Sequence, residues 1–141
     1  MQHEAFKFFV DYGYEATEEY LSLYKIRPVQ RKKILKEQDV AVWDVMKTCY
    51  RKGSLDADID ETSILTNDFA SFFTAHPSIN HVFFNGGTAE RIYKKYILTT
   101  LGDQFDYIQY DRLPSTSPAY ASISLEEKAA AWELISDVLN R

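Results

Sequence analysis

Apolar and polar positions follow helical spacing at both ends of the chain and shorter, strand-like runs between them. Between residues 3 and 24, Phe6, Phe9 and Val10, then Tyr20, Leu21, Leu23 and Tyr24, recur at mixed helical spacing. Gly13 predicts a break between two helices there, and Thr17 a cap for the second. Pro28 suits the first turn of a further helix running to about Glu37. Three apolar runs then predict strands: Val40, Ala41, Val42 and Trp43; residues 81–85, bounded by Pro77 and by Gly86-Gly87; and residues 105–110, which alternate as an edge strand does. Helices are expected near 66–75, with Thr66 or Asn67 as cap, and over 88–99. The last helix has the plainest signal. Ser124 and Glu127 form a capping box, and Leu125, Ala129, Trp132, Ile135 and Leu139 share one face.

Strands alternating with helices predict a single α/β domain, a three-layer α/β/α arrangement around a short, mainly parallel sheet. Three strands make a narrow parallel sheet, whose centre is normally a run buried on both faces. No such run precedes residue 40. Either an early segment is a strand with a helix-like pattern, or a central strand is missing.

Composition supports a folded domain: 45% of the 141 residues are hydrophobic and 15% aromatic. No stretch approaches the roughly 18 apolar residues of a membrane span, so no membrane partner is expected. The opening Met1-Gln2-His3-Glu4 lacks the basic and apolar character of a secretory signal. Cys49 is the single cysteine, and it makes neither an internal disulfide nor an iron–sulfur site. A reducing, cytoplasmic setting is expected. The net charge of −5 counts against a nucleic-acid partner. Its distribution is uneven, however. Arg27, Arg31, Lys32, Lys33 and Lys36 form a basic run without an acid, while Asp56, Asp58, Asp60 and Glu61 gather elsewhere. A solvated helix face is the commoner reading of such a run.

Ligands of open α/β sheets bind beyond the carboxyl ends of the strands. There the first expected strand ends in Trp43-Asp44, the second in Asn85-Gly86-Gly87, and the third in Leu113, Pro114, Ser115, Thr116, Ser117, Pro118, Ala119 and Tyr120. Each has a plain structural reading beside a functional one. Asp44 suits a helix cap. Paired glycines serve tight turns as well as phosphate cradles. A Pro-Ser-Thr-Ser-Pro loop makes a stiff connector or a phosphate contact. His3, His76 and His81 lack metal-ligand spacing, so no metal is expected.

Taken together, Ala41-Val42-Trp43-Asp44-Val45, Gly53-Ser54-Leu55-Asp56, Asn67-Asp68-Phe69, His76-Pro77, Val82-Phe83-Phe84-Asn85-Gly86, the Leu113 to Ala119 string, Glu127-Lys128 and Trp132 resemble the hypoxanthine-DNA glycosylase branch of the uracil-DNA glycosylase superfamily. Order and spacing agree from about residue 39 to the C-terminus. The resemblance implies a base-excision enzyme acting on DNA that contains a damaged base, hypoxanthine or uracil, with no metal or organic cofactor. It puts Asp44, beside Trp43, where related enzymes carry a base-recognising polar residue, and Asn85 in the pocket wall. It makes Leu113 to Ala119 the loop that grips the DNA backbone and enters the base stack. Tyr120 is either a wedge or a residue packed on Trp132.

The departure is N-terminal. The family has an upstream strand ending in Gly-Ser-x-Pro, then a His-Pro-x-Asn-x-Phe-Trp segment. Here only His3-Glu4-Ala5-Phe6 remains, with Glu4 at the Asn position and Lys7 at the Trp position. An N-terminally shortened domain is therefore expected, with Glu4 as the candidate catalytic base. A degenerate domain that binds DNA or nucleotide without turnover stays open. So does a phosphate-binding domain built on Asn85-Gly86-Gly87-Thr88, which would need a Lys or Arg at the phosphate. The sequence sets no oligomeric state, though an exposed sheet edge would permit pairing between chains.

Overall fold

A computed structural model describes residues 33, 35–117 and 120–141. It divides into two compact units, one of them Trp43–Arg112 and the other joining residues before 43 to residues 113–141.

The Trp43–Arg112 unit opens with an antiparallel hairpin. β1 (Met46–Arg51) pairs with β2 (Ile59–Thr66), in a register interrupted by two shifts. This corrects the strand expected at residues 40–43, which is not extended into any ladder. Val42 is 61% exposed, so the apolar run there buries little of what would favour a strand. The hairpin is polar, and its signal is weak for that reason. It is held by local bonds: the Tyr50 amide donates to Ser63 Oγ (2.7 Å), and Asp60 Oδ1 accepts from the Thr62 hydroxyl (2.6 Å) and amide (3.0 Å).

α1 (Phe69–Ala75) is capped by Asp68, whose carboxylate accepts from the Ser71 amide (3.0 Å) and hydroxyl (2.7 Å). The expected caps, Thr66 and Asn67, are otherwise engaged. Thr66 ends β2, and Asn67 donates its amide to the Asp44 carbonyl (2.7 Å). β3 (His81–Asn85) lies where the apolar run predicts it and leads into α2 (Gly87–Tyr96). α2 stops short of the expected residue 99, and a 3-10 turn over Leu98–Thr100 follows.

β4 (Gln109–Leu113) lies beside β3, and this sheet is parallel. Its start is four residues later than the alternation at 105–110 suggests. The Phe105, Asp106 and Ile108 amides are all spent on turn bonds, and Phe105 and Ile108 are buried at turn spacing while Tyr107 is 46% exposed. His81 Nε2 and the Asp111 carboxylate, 2.8 Å apart, tie the two strands across their faces. The core of this unit gathers Phe69, Phe73, Phe84, Tyr93, Ile97, Phe105 and Ile108. Phe69 meets Tyr93 edge to face (5.2 Å, 82°). Burial raises the Tyr93 hydroxyl above the ordinary tyrosine range, with the Tyr110 hydroxyl 3.2 Å away as a second cause.

In the other unit, the helix that includes residues 35–37 ends at Asp39 in the left-handed region (φ 56°), and the Val40 amide returns to the Leu35 carbonyl (2.9 Å). Asp fills the place usually given to Gly in such a cap. The predicted last helix is present in two pieces, α3 (Leu125–Trp132) and α4 (Leu134–Leu139), joined at Glu133. Its capping box is formed as expected: Ser124 Oγ accepts the Glu127 amide (3.1 Å), and Glu127 Oε2 accepts the Ser124 amide (2.6 Å). The buried face is Lys128, Trp132 and Ile135, whereas Leu125, expected on it, is 37% exposed. In its place the apolar stem of Lys128 is buried.

The α/β class expected from the alternation of strands and helices is the class observed. No described helix is long and apolar enough to cross a membrane.

Candidate functional site

At the carboxyl end of β3 the chain turns sharply at Gly86, which has φ 92° and ψ 172° and is buried. Only glycine adopts that backbone readily. α2 begins at the next residue, so its first amides lie immediately after Asn85, and the Asn85 residue itself is exposed. Arg112 of β4 comes to the same corner: its Nη1 lies 3.5 Å from where a Cβ on Gly87 would stand. Glu90, in the first turn of α2, shares its carboxylate between Arg112 (3.3 Å) and Lys94 (2.7 Å). Arg112 heads the segment that ends the third expected strand, and the pattern assigns it no role. Its signal was positional only, as the cation of the strand beside the glycine turn.

Trp43 and Asp44 lie at the entrance to β1 in the same unit. Trp43 packs its ring on Phe69 (5.0 Å) and Phe72 (4.7 Å) of α1, yet stays 44% exposed. Phe72 also packs against the His76 ring (4.7 Å). Asp44 caps no helix, since a strand follows it; its backbone is pinned by Asn67 and its residue surface is exposed.

The Pro-Ser-Thr-Ser segment follows β4. Leu113 is buried, Thr116 is turned inward at 4% exposure, and Ser117 lies on the surface. Two of its carbonyls are held by α3: Trp132 Nε1 donates to Pro114 O (2.8 Å), and Lys128 Nζ donates to Ser117 O (3.2 Å). Inside the segment, the Ser117 amide donates to Ser115 Oγ (3.2 Å) and the Tyr120 amide to the Ser117 carbonyl (3.0 Å). The Lys128 ammonium also lies over the Tyr120 ring at 5.3 Å, a cation–π contact that leaves Tyr120 43% exposed. Glu4, Pro118 and Ala119, also expected at the site, lie outside the described residues.

No protein-family model matches the chain, and no curated protein matches it significantly. Among solved structures it is similar to the solution NMR structure of "a putative Uracil DNA glycosylase from Methanosarcina acetivorans", with a TM-score of 0.65 and 24% sequence identity over 98% of this chain and 78% of that one. The fold is uracil-DNA-glycosylase-like.

On this uracil-DNA-glycosylase-like fold, the site residues expected from sequence separate by unit. Trp43, Asp44 and Asn85 belong to the Trp43–Arg112 unit; Leu113 to Ser117 and Tyr120 belong to the other. The sequence marked the serine and proline residues of the loop but not what holds them. Lys128 and Trp132 stand four apart on one helix face, and that spacing was the available signal. Among the described residues, no three His, Cys, Asp or Glu side chains are grouped to hold a metal ion.

Proposed function

We propose that the chain is a DNA glycosylase that removes a deaminated base, hypoxanthine or uracil, from DNA. The observation that carries this reading is the Leu-Pro-Ser-Thr-Ser segment leaving the parallel strand β4, fastened through its backbone to α3, in a chain with a uracil-DNA-glycosylase-like fold.

Excision needs a base out of the stack, at a cost of a few kcal/mol, and a pocket that reads its edge. In this proposal Trp43 offers the stacking face, and Asp44 and Asn85 offer the polar groups for the edge. The glycosidic C–N bond breaks with its electron pair leaving on the base, and an oxocarbenium-like sugar is left behind. Glu4 stabilises that charge and takes a proton from the water that adds to the sugar carbon. The loop from Leu113 to Ala119 holds the backbone beside the lesion, with Ser115 and Ser117 toward phosphate and Tyr120 toward the gap.

The test is incubation with duplexes carrying one inosine or one uracil, scored for abasic sites. Strand scission after alkali is expected with one of these lesions and not with the undamaged duplex. Glu4→Gln should slow it at least 100-fold. Folded protein that binds the duplex and yields no product above background would refute turnover and favour a binding domain.

A further inference from the structure

Lys128 is a long, charged side chain with 1% of its surface exposed, and Trp132, one turn along α3, has 2%. Lysine is rarely buried to this degree unless its ammonium has work to do. Both side chains spend a donor on the segment after β4: Lys128 Nζ reaches the Ser117 carbonyl (3.2 Å), and Trp132 Nε1 the Pro114 carbonyl (2.8 Å). The two carbonyls bracket Ser115 and Thr116, so the hydroxyl-bearing stretch hangs between two fixed points. Thr116 is itself buried beneath, and Ser115 Oγ is oriented by the Ser117 amide (3.2 Å). The same ammonium lies 5.3 Å over the Tyr120 ring, which extends the hold to the far end of the segment. The capping box at Ser124 and Glu127 fixes the helix start immediately before Lys128. Neither side chain need touch DNA to do this.

We propose that Lys128 and Trp132 are positioning residues, a two-point clamp that presets the Pro114–Ser117 backbone for DNA. This rests on the glycosylase reading for its ligand, though not for the clamp itself. A preset loop spares the ordering cost at binding, so its loss falls on affinity rather than on the chemical step.

The experiment compares wild type with Lys128→Met, which keeps the apolar stem, and Trp132→Phe, which keeps a ring without the N–H. Three quantities are read: amide hydrogen exchange of residues 113–121, the dissociation constant for a duplex with an abasic-site analogue, and the single-turnover rate at saturating inosine or uracil duplex. Each variant should exchange at least tenfold faster in that segment while residues 81–97 are unaltered, and should bind about tenfold more weakly. The rate at saturation should stay within about threefold, which a general loss of folded protein would not produce. Unaltered exchange in both variants would overturn the clamp. Faster exchange with unaltered affinity would overturn its role in DNA binding. A wild-type protein that binds no duplex would instead overturn the glycosylase reading, and the exchange arm alone would then decide the clamp.

Discussion

Gly86 and Gly87 look interchangeable in the sequence and differ sharply in place. At Gly86 the backbone (φ 92°, ψ 172°) is one that residues with a Cβ hardly enter, at a cost of about 1–3 kcal/mol. Gly87 opens α2, and a Cβ there would meet Arg112 Nη1 at an ordinary contact distance of 3.5 Å. Gly86→Ala should therefore lower the thermal midpoint by about 2–10 °C, and Gly87→Ala should leave it within about 2 °C, as read by circular dichroism. The paired glycines were legible as a turn before a helix. Which of them carries the constraint was not, because that depends on a backbone angle and not on composition.

Among the described α-helices, two begin on carboxylates that accept backbone amides. The Ser71 amide and then its hydroxyl hold Asp68 below the ordinary carboxylate range, and the Ser124 amide and then its hydroxyl do so for Glu127. A depressed folded value means the stabilisation is fully present above the unfolded value and is lost as pH falls through the folded one. Asp68→Ala and Glu127→Ala should each cost about 2–4 °C of midpoint at pH 6 and progressively less as the pH is lowered into the acid range, measured by thermal melts across a pH series. The capping box at Ser124 was legible because both of its members lie within four residues. The cap at Asp68 was displaced from the expected Thr66 or Asn67 because Asn67 bonds to the distant Asp44 carbonyl. The β1–β2 hairpin was hidden for a related reason. Its register is set by side-chain bonds such as Tyr50 to Ser63 and not by an apolar stripe. Likewise β4 starts late because the turns over residues 102–108 consume the amides that a strand would have used.

For the whole molecule, a net charge of −5 limits how DNA could be held. In the proposed function few phosphates are neutralised, and the grip comes from a fixed backbone and hydroxyls. Each phosphate neutralised by Lys or Arg contributes about −0.9 to the slope of log affinity against log salt. A slope no steeper than about −3 is expected from fluorescence anisotropy between low and physiological salt. A slope near −6 would assign the binding to a broad basic surface and remove the loop from its centre. The class of fold and the loop itself were legible in the sequence. The members of Glu61's ion network were not, since Arg91, Lys95 and Tyr96 of α2 meet that β2 carboxylate from some 30 residues away.

The hold on Pro114 and Ser117 runs through carbonyl oxygens, which every amino acid supplies alike. The path of that segment is thus written largely in α3, with the Ser115 hydroxyl adding a local bond of its own to the Ser117 amide. Such a segment is open to revision. Side chains along it could be exchanged, in nature or in a library, with the two carbonyl anchors kept, so that in the proposed function what the loop recognises and where it is fastened are inherited separately.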